Sequence, residues 1–267
     1  MNDTALKNSQ PSRKAVMQSA AWSVPIITAA VAAPAFAASP NCPPLTLDWT
    51  TATFSRTSAN AASFTWSNPF GTGTPLVMNI NAVRELANTT LHTENLTQDA
   101  RNVGGAPVDG GLVLALVTAN NTVDQDHGGE NVTFSFQYGG SPFPVQNLSF
   151  RVGDIDGNVV SNSGAGSIPG GAERVWTDQG TGTFLTGGWQ WLIGDGTRNK
   201  PWRRRADSTP SGPNSSPSDT FAAVRIDIAS TSAFTLRYRV NGTGNTEGTV
   251  NRVFLSPFNF MVTDPTC

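Results

Sequence analysis

The feature that most constrains this chain is a two-residue alternation of apolar and polar side chains, repeated in short runs and cut off each time by a Gly, Pro or Asn turn. In "NVTFSFQY" (131–138), Val132, Phe134 and Phe136 fall on one side, and Thr133, Ser135 and Gln137 on the other. Successive residues of a strand point to opposite faces, so such a run reads as a strand with one buried and one wet face. The same period recurs at 45–55, 62–66, 75–81, 111–119, 147–155, 174–178, 189–193, 222–229, 234–240 and 253–262. Turn signals such as "NPFGTGTP", "YGGSPFP" and "GDGTRNKP" separate the runs. About eleven short strands at this spacing predict an all-β fold, a single antiparallel β-sandwich of jelly-roll-like form with both sheets sharing one core. The 26 Gly and 18 Pro, with few long helix formers, agree with strands and turns. Residues 81–102 break the period and predict a short helix or a crossover. Residues 207–219, "DSTPSGPNSSPSD", lack any large apolar side chain and read as a mobile surface loop inside the domain.

The first 37 residues follow a different rule. Lys7, Arg13 and Lys14 precede an apolar run of small residues that ends in Ala35-Phe36-Ala37. This is the order of a secretory signal peptide, with a small-x-small cleavage site. Gln18, Ser19, Ser23 and Pro25 interrupt the run, which falls short of the roughly 20 apolar residues a membrane span requires. The expected organisation is therefore a signal peptide at 1–37, a single domain at 38–267, and no membrane span in the mature chain. Cleavage removes three of the 17 Lys+Arg and one of the 19 Asp+Glu, leaving 14 against 18 and a net charge of −4. That balance argues against a nucleic-acid partner. Both cysteines, Cys42 and Cys267, lie in the mature part, and an even count in an exported chain reads as one disulfide. Free thiols, or acylation of Cys42, are the alternatives; the "ASPN" before Cys42 lacks the Leu and small residues of an acylation site.

Three constellations carry candidate chemistry. Asp154 and Asp156 end the run "NLSFRVGDID", and two carboxylates at i and i+2 can share a hard cation such as Ca²⁺. Asp124, Asp126 and Glu130 in "DQDHGGE" are possible further ligands. The competing reading is that both aspartates accept backbone N–H groups in a tight turn. The second constellation is "RNKPWRRRAD", where Trp202 stands beside Arg203, Arg204 and Arg205 in a predicted loop. An exposed indole offers a stacking surface and arginines pair with anions through planar forks, which suits an envelope polysaccharide or anionic wall polymer. The third is Trp189 and Trp191, at i and i+2 of one strand; they are either core residues or a weaker part of the same ligand site. Nucleophilic catalysis has little to build on. There is no G-x-S-x-G elbow, no zinc motif, and only His92 and His127 as imidazole bases.

Two segments carry a resemblance. "SRKAVMQSAAWSVPIITAAVAAPAFAAS" resembles the leaders of secreted surface proteins of high-GC Gram-positive bacteria, above all in "AAWSVP". Lys14 stands where a twin-arginine leader has its second Arg, which leaves both the general and the twin-arginine route open. Residues 111–158, through "VTFSF", "PVQNLSF" and "DID", are similar to a module that recurs in secreted bacterial surface proteins. The resemblance implies an extracellular or cell-surface β-sandwich of unassigned activity and supplies no catalytic residues. The functional expectation is a secreted envelope binding protein without catalysis. The alternatives are a structural or adhesive surface protein and an extracellular glycan-active hydrolase.

Overall fold

The computed structural model describes residues 44–85, 89–106, 110–118, 126–155, 172–185, 191–205, 217–241 and 250–265. The expected signal peptide, Cys42, Cys267, Asp124, Asp156, Trp189 and most of the 207–219 loop lie outside the described residues, as do the side chains of Asp126 and His127.

The described strands, in chain order, are β1 (Leu45–Asp48), β2 (Thr53–Ser58), β3 (Ala61–Trp66), β4 (Leu76–Arg84), β5 (Thr89–Leu91), β6 (Gln98–Asp99), β7 (Gly111–Thr118), β8 (Asp126–Tyr138) and β9 (Ser141–Pro142). They continue with β10 (Val145–Gly153), β11 (Ala172–Thr177), β12 (Thr181–Phe184), β13 (Leu192–Ile193), β14 (Trp202–Arg204), β15 (Val224–Thr231), β16 (Ala233–Asn241), β17 (Val250–Leu255) and β18 (Asn259–Val262). They form two antiparallel sheets, the β-sandwich expected from the alternation. The first sheet runs β1-β18-β10-β17-β7-β5, with β15 beside β10, β12 beside β15 and β6 beside β7. The second runs β13-β14-β11-β16-β8-β4-β3-β2, with β9 on β8.

The alternation explains which faces meet. In the second sheet Ile80, Val132, Phe134, Phe136, Phe234 and Leu236 point inward; in the first, Leu148, Phe150, Val152, Ile226, Phe258 and Phe260 do, and all belong to one buried cluster. Aromatic rings join the two layers. Phe134 stacks on Phe234 at 4.9 Å between centroids, and Phe258 reaches Phe134 at 5.1 Å and Phe150 at 4.4 Å. Each fully buried apolar side chain of this size contributes roughly 1.5–3 kcal/mol relative to exposure, so this cluster dominates the stability.

Two expectations are refined. The run 45–55 is not one strand: after β1 the chain turns through a 3-10 segment, Trp49–Thr51, before β2 joins the other sheet. Asp48 makes the corner, its Oδ1 accepting from Thr50 N at 2.8 Å while Trp49 goes into the core at 3% exposure. Residues 81–102 hold the end of β4, then β5, β6 and turns, with no helix among the described residues. No described helix is long and apolar enough to cross a membrane.

Candidate functional site

The expected Trp202/Arg loop is a strand, and strand geometry divides it. β14 pairs antiparallel with β11, Val175 opposite Trp202 and Arg174 opposite Arg203. Val175 is a core residue, so Trp202 and Arg204 turn inward and Arg203 turns outward. Trp202 is 1% exposed and Arg204 8%. This corrects the expectation of an exposed stacking ring. The indole fills a slot opened by two glycines: a Cβ on Gly182 would stand 1.9 Å from the Trp202 ring, and one on Gly196 2.1 Å. Arg205 is partly buried, its backbone N donating to Trp191 O at 2.7 Å. Trp191 packs against Phe221 at 5.4 Å between centroids.

Arg203 finds new company on the outer face of the second sheet. Arg174 stands opposite it on β11, and Arg239 on β16 stands opposite Arg174. Two positions along the same ladder, on the same face, Arg237 pairs with Trp176, which is 3% exposed. Tyr238, Val240, Leu236 and Val175 of these strands are all core residues, so the arginines between them point away from it. Like charges in direct cross-strand register repel and weaken a sheet, so three in a row call for compensating anions. Arg239 has one. Its Nε and Nη2 donate to Glu85 at 3.0 and 2.5 Å, while its guanidinium carbon lies 5.2 Å from the Trp176 ring centroid. Gly129 on β8 lets the Arg239 stem lie across it, since a Cβ there would come within 3.0 Å of Arg239 Cγ. Among the described residues, Arg203 and Arg237 are therefore the cations of this face without an ion-pair partner.

The acidic candidates are placed apart. Asp154 follows β10 in the left-handed region at φ +64°, which breaks the alternation and sends Ile155, rather than Asp154, into the core. Its charge falls on Arg101, whose guanidinium is held mainly by Asp99. Glu130 is the clearest departure from expectation. It lies on the inward side of β8 with 0% exposure, not in an exposed acidic loop. Asn95 Nδ2 donates to its Oε2 at 2.9 Å, while Oε1 has no hydrogen-bond partner. Burial pushes this carboxyl up to about 8, against the opposing effect of the Asn95 bond. A neutral acid locked in a core is a poor calcium ligand. Among the described residues no three His, Cys, Asp or Glu side chains come together.

Sequence reasoning missed Arg174, Arg237 and Arg239. The pair in "FTLRYRV" was detectable, because residues at i and i+2 of a strand share a face. Alignment with Arg174 and Arg203 depends on pairing register, which no single segment encodes. No protein-family model matches this chain, and no curated protein matches it.

Proposed function

We propose that this protein is a secreted, non-catalytic binding protein of the cell envelope, and that the outer face of its second sheet holds an anionic polymer. One observation carries the reading: Arg203, Arg174 and Arg239 stand in direct register across β14, β11 and β16 with Arg237 on the same face, and Arg203 and Arg237 make no ion pair among the described residues. Neighbouring strands lie about 4.8 Å apart, so Arg203 on β14 and Arg237 on β16, two strands apart, lie within reach of one linear polyanion. Guanidinium forks suit both carboxylate and phosphodiester oxygens. Secretion rests on the leader and on the resemblance of residues 111–158. The two deeply buried carboxylates, Glu130 and Glu173, face the core, and Tyr238 Oη donates to Glu173 Oε1 at 2.6 Å.

The test is retention of the mature protein on purified cell walls, with polygalacturonate and polyphosphate as defined competitors. Arg203→Gln combined with Arg237→Gln should weaken binding about ten-fold, the equivalent of 1.4 kcal/mol, and should flatten its salt dependence. Unchanged retention of the double variant would refute the assignment.

The same reading includes a Cys42–Cys267 disulfide. It is supported by the pairing of β1 with β18, in which Leu45, three residues after Cys42, stands opposite Val262, five residues before Cys267. Intact mass and thiol titration of the secreted chain should show one intramolecular bond and an N-terminus at Ala38; two titratable thiols would contradict the bond.

A further inference from the structure

The outer face of the first sheet carries a second basic feature, in a hollow. A cavity of about 390 Å³ lies over β10, β15 and β18. At its floor Arg151 of β10 and Arg225 of β15 stand directly opposite each other. The β10–β18 register shifts between Gln146 and Ser149 beside the hollow, with Asn147, one of its lining residues, in the left-handed region at φ +50°. Register shifts of this kind re-aim side chains beside binding sites.

Each guanidinium is anchored by part of its donor set and keeps the rest. Arg151 Nη1 donates to Gly104 O at 2.6 Å, which leaves Nε and Nη2. Arg225 Nε donates to Ser149 Oγ at 3.0 Å and to Asp227 Oδ1 at 2.9 Å, and Nη2 lies 2.8 Å from the same carboxylate oxygen, which leaves Nη1. The two forks are thus held in place before any ligand arrives. Arg151 is also held below the usual arginine range by burial and by the charge of Arg225, so an anion between them is favoured. The rim is polar. Asp48 uses Oδ1 for Thr50 and keeps Oδ2, and the exposed Asn259 lines the same wall.

We propose that this groove binds a single carboxylated sugar of the uronic acid class, its carboxylate between Arg151 and Arg225 and its hydroxyls on Asp48 and Asn259. The volume is at the small end of ligand pockets, which run from about 300 to 1,000 Å³, and suits one sugar ring. Asp48 at the rim, and Asp227 already paired with Arg225, decide the charge of the ligand. A dianionic phosphate meets the Asp48 carboxylate and an arginine that Asp227 half-neutralises, whereas a monocarboxylate is balanced by the arginines and its hydroxyls can use Asp48 as an acceptor. This site is on the opposite sheet from the arginine face and does not depend on it.

The test is titration of the mature protein with sodium glucuronate, glucose and inorganic phosphate, followed by backbone amide shifts and calorimetry. Glucuronate should saturate, with shifts at 147–151, 225–227 and 256–259, while glucose and phosphate bind at least about ten-fold more weakly. Arg225→Gln and Asn259→Ala alter exposed side chains and should each weaken glucuronate about ten-fold, with Arg225→Lys intermediate because it keeps the charge and loses the fork. Equal binding of glucose or phosphate, no saturation by glucuronate, or indifference to Arg225→Gln would each overturn the proposal. Arg203→Gln with Arg237→Gln should leave glucuronate binding unchanged, so failure here and failure of polymer binding are separable.

Discussion

Glu130→Gln is expected to stabilise the protein markedly at pH 8 and to leave it nearly unchanged at pH 4. In the folded state burial holds this carboxyl protonated up to about 8, whereas in the unfolded chain it ionises near its ordinary value of 4.5. The folded state therefore binds the extra proton between those two values. Its stabilising effect is complete below the unfolded value and is lost as pH rises through the folded one, at about 1.4 kcal/mol per pH unit. Across that window wild-type stability should fall by a few kcal/mol on account of this group. Glutamine has the same shape, still offers an oxygen to Asn95 Nδ2, and cannot ionise. Arg84 stands opposite Glu130 on β4, but its guanidinium turns to Thr89 O at 3.4 Å, so it does not rescue the carboxylate. Urea unfolding of both proteins from pH 4 to 9 should give curves that coincide in acid and separate in base; parallel curves would show that Glu130 is ionised in the fold.

Trp202→Ala should cost about 3–5 kcal/mol, in the range for removing a buried aromatic from a packed core. The ring is 1% exposed and belongs to the cluster shared by both sheets, so its loss leaves a hole between β12 and β14 rather than a bare surface. Gly182→Ala tests the same packing from the other side. A Cβ there would collide with the indole at 1.9 Å, and the antiparallel β12–β15 pair limits how far the backbone can retreat. Both variants should lower the denaturation midpoint sharply. If Trp202→Ala instead melts as wild type and only loses cell-wall retention, the indole is a ligand contact.

Much of the architecture is legible in the sequence because a period of two shows within a single strand. The runs at 62–66, 131–138, 222–229 and 234–240 correspond to β3, β8, β15 and β16 within a few residues. What escapes is short or depends on partners. β14 has three residues and follows a Gly/Pro/Asn-rich turn, so its arginines read as a solvated loop. β12, at Thr181–Phe184, hides in a Gly/Thr sequence that reads as turn. Glu130 reads as a member of an acidic loop, yet β8 extends back to Asp126 and the alternation set by Val132 and Phe134 carries Glu130 inside. The arginine row is invisible for a further reason. Arg174, Arg203 and Arg239 are separated along the chain and meet only through register, a property of the sheet rather than of any segment.

The pairing of β1 with β18 also sets how the domain yields to force. Leu45 faces Val262 at one end of a ladder that closes with Asp48 facing Asn259. Tension entering through the segments before Leu45 and after Val262 loads that end alone, so the rungs give way in succession instead of resisting together. Such a ladder opens under small loads, exposing the edge of β18 and loosening the corner at Trp49. A Cys42–Cys267 bond would carry the load around the ladder and leave the sandwich slack. Under tension applied to its two ends, the oxidised form should keep its fold through pulls that would strip the reduced form strand by strand.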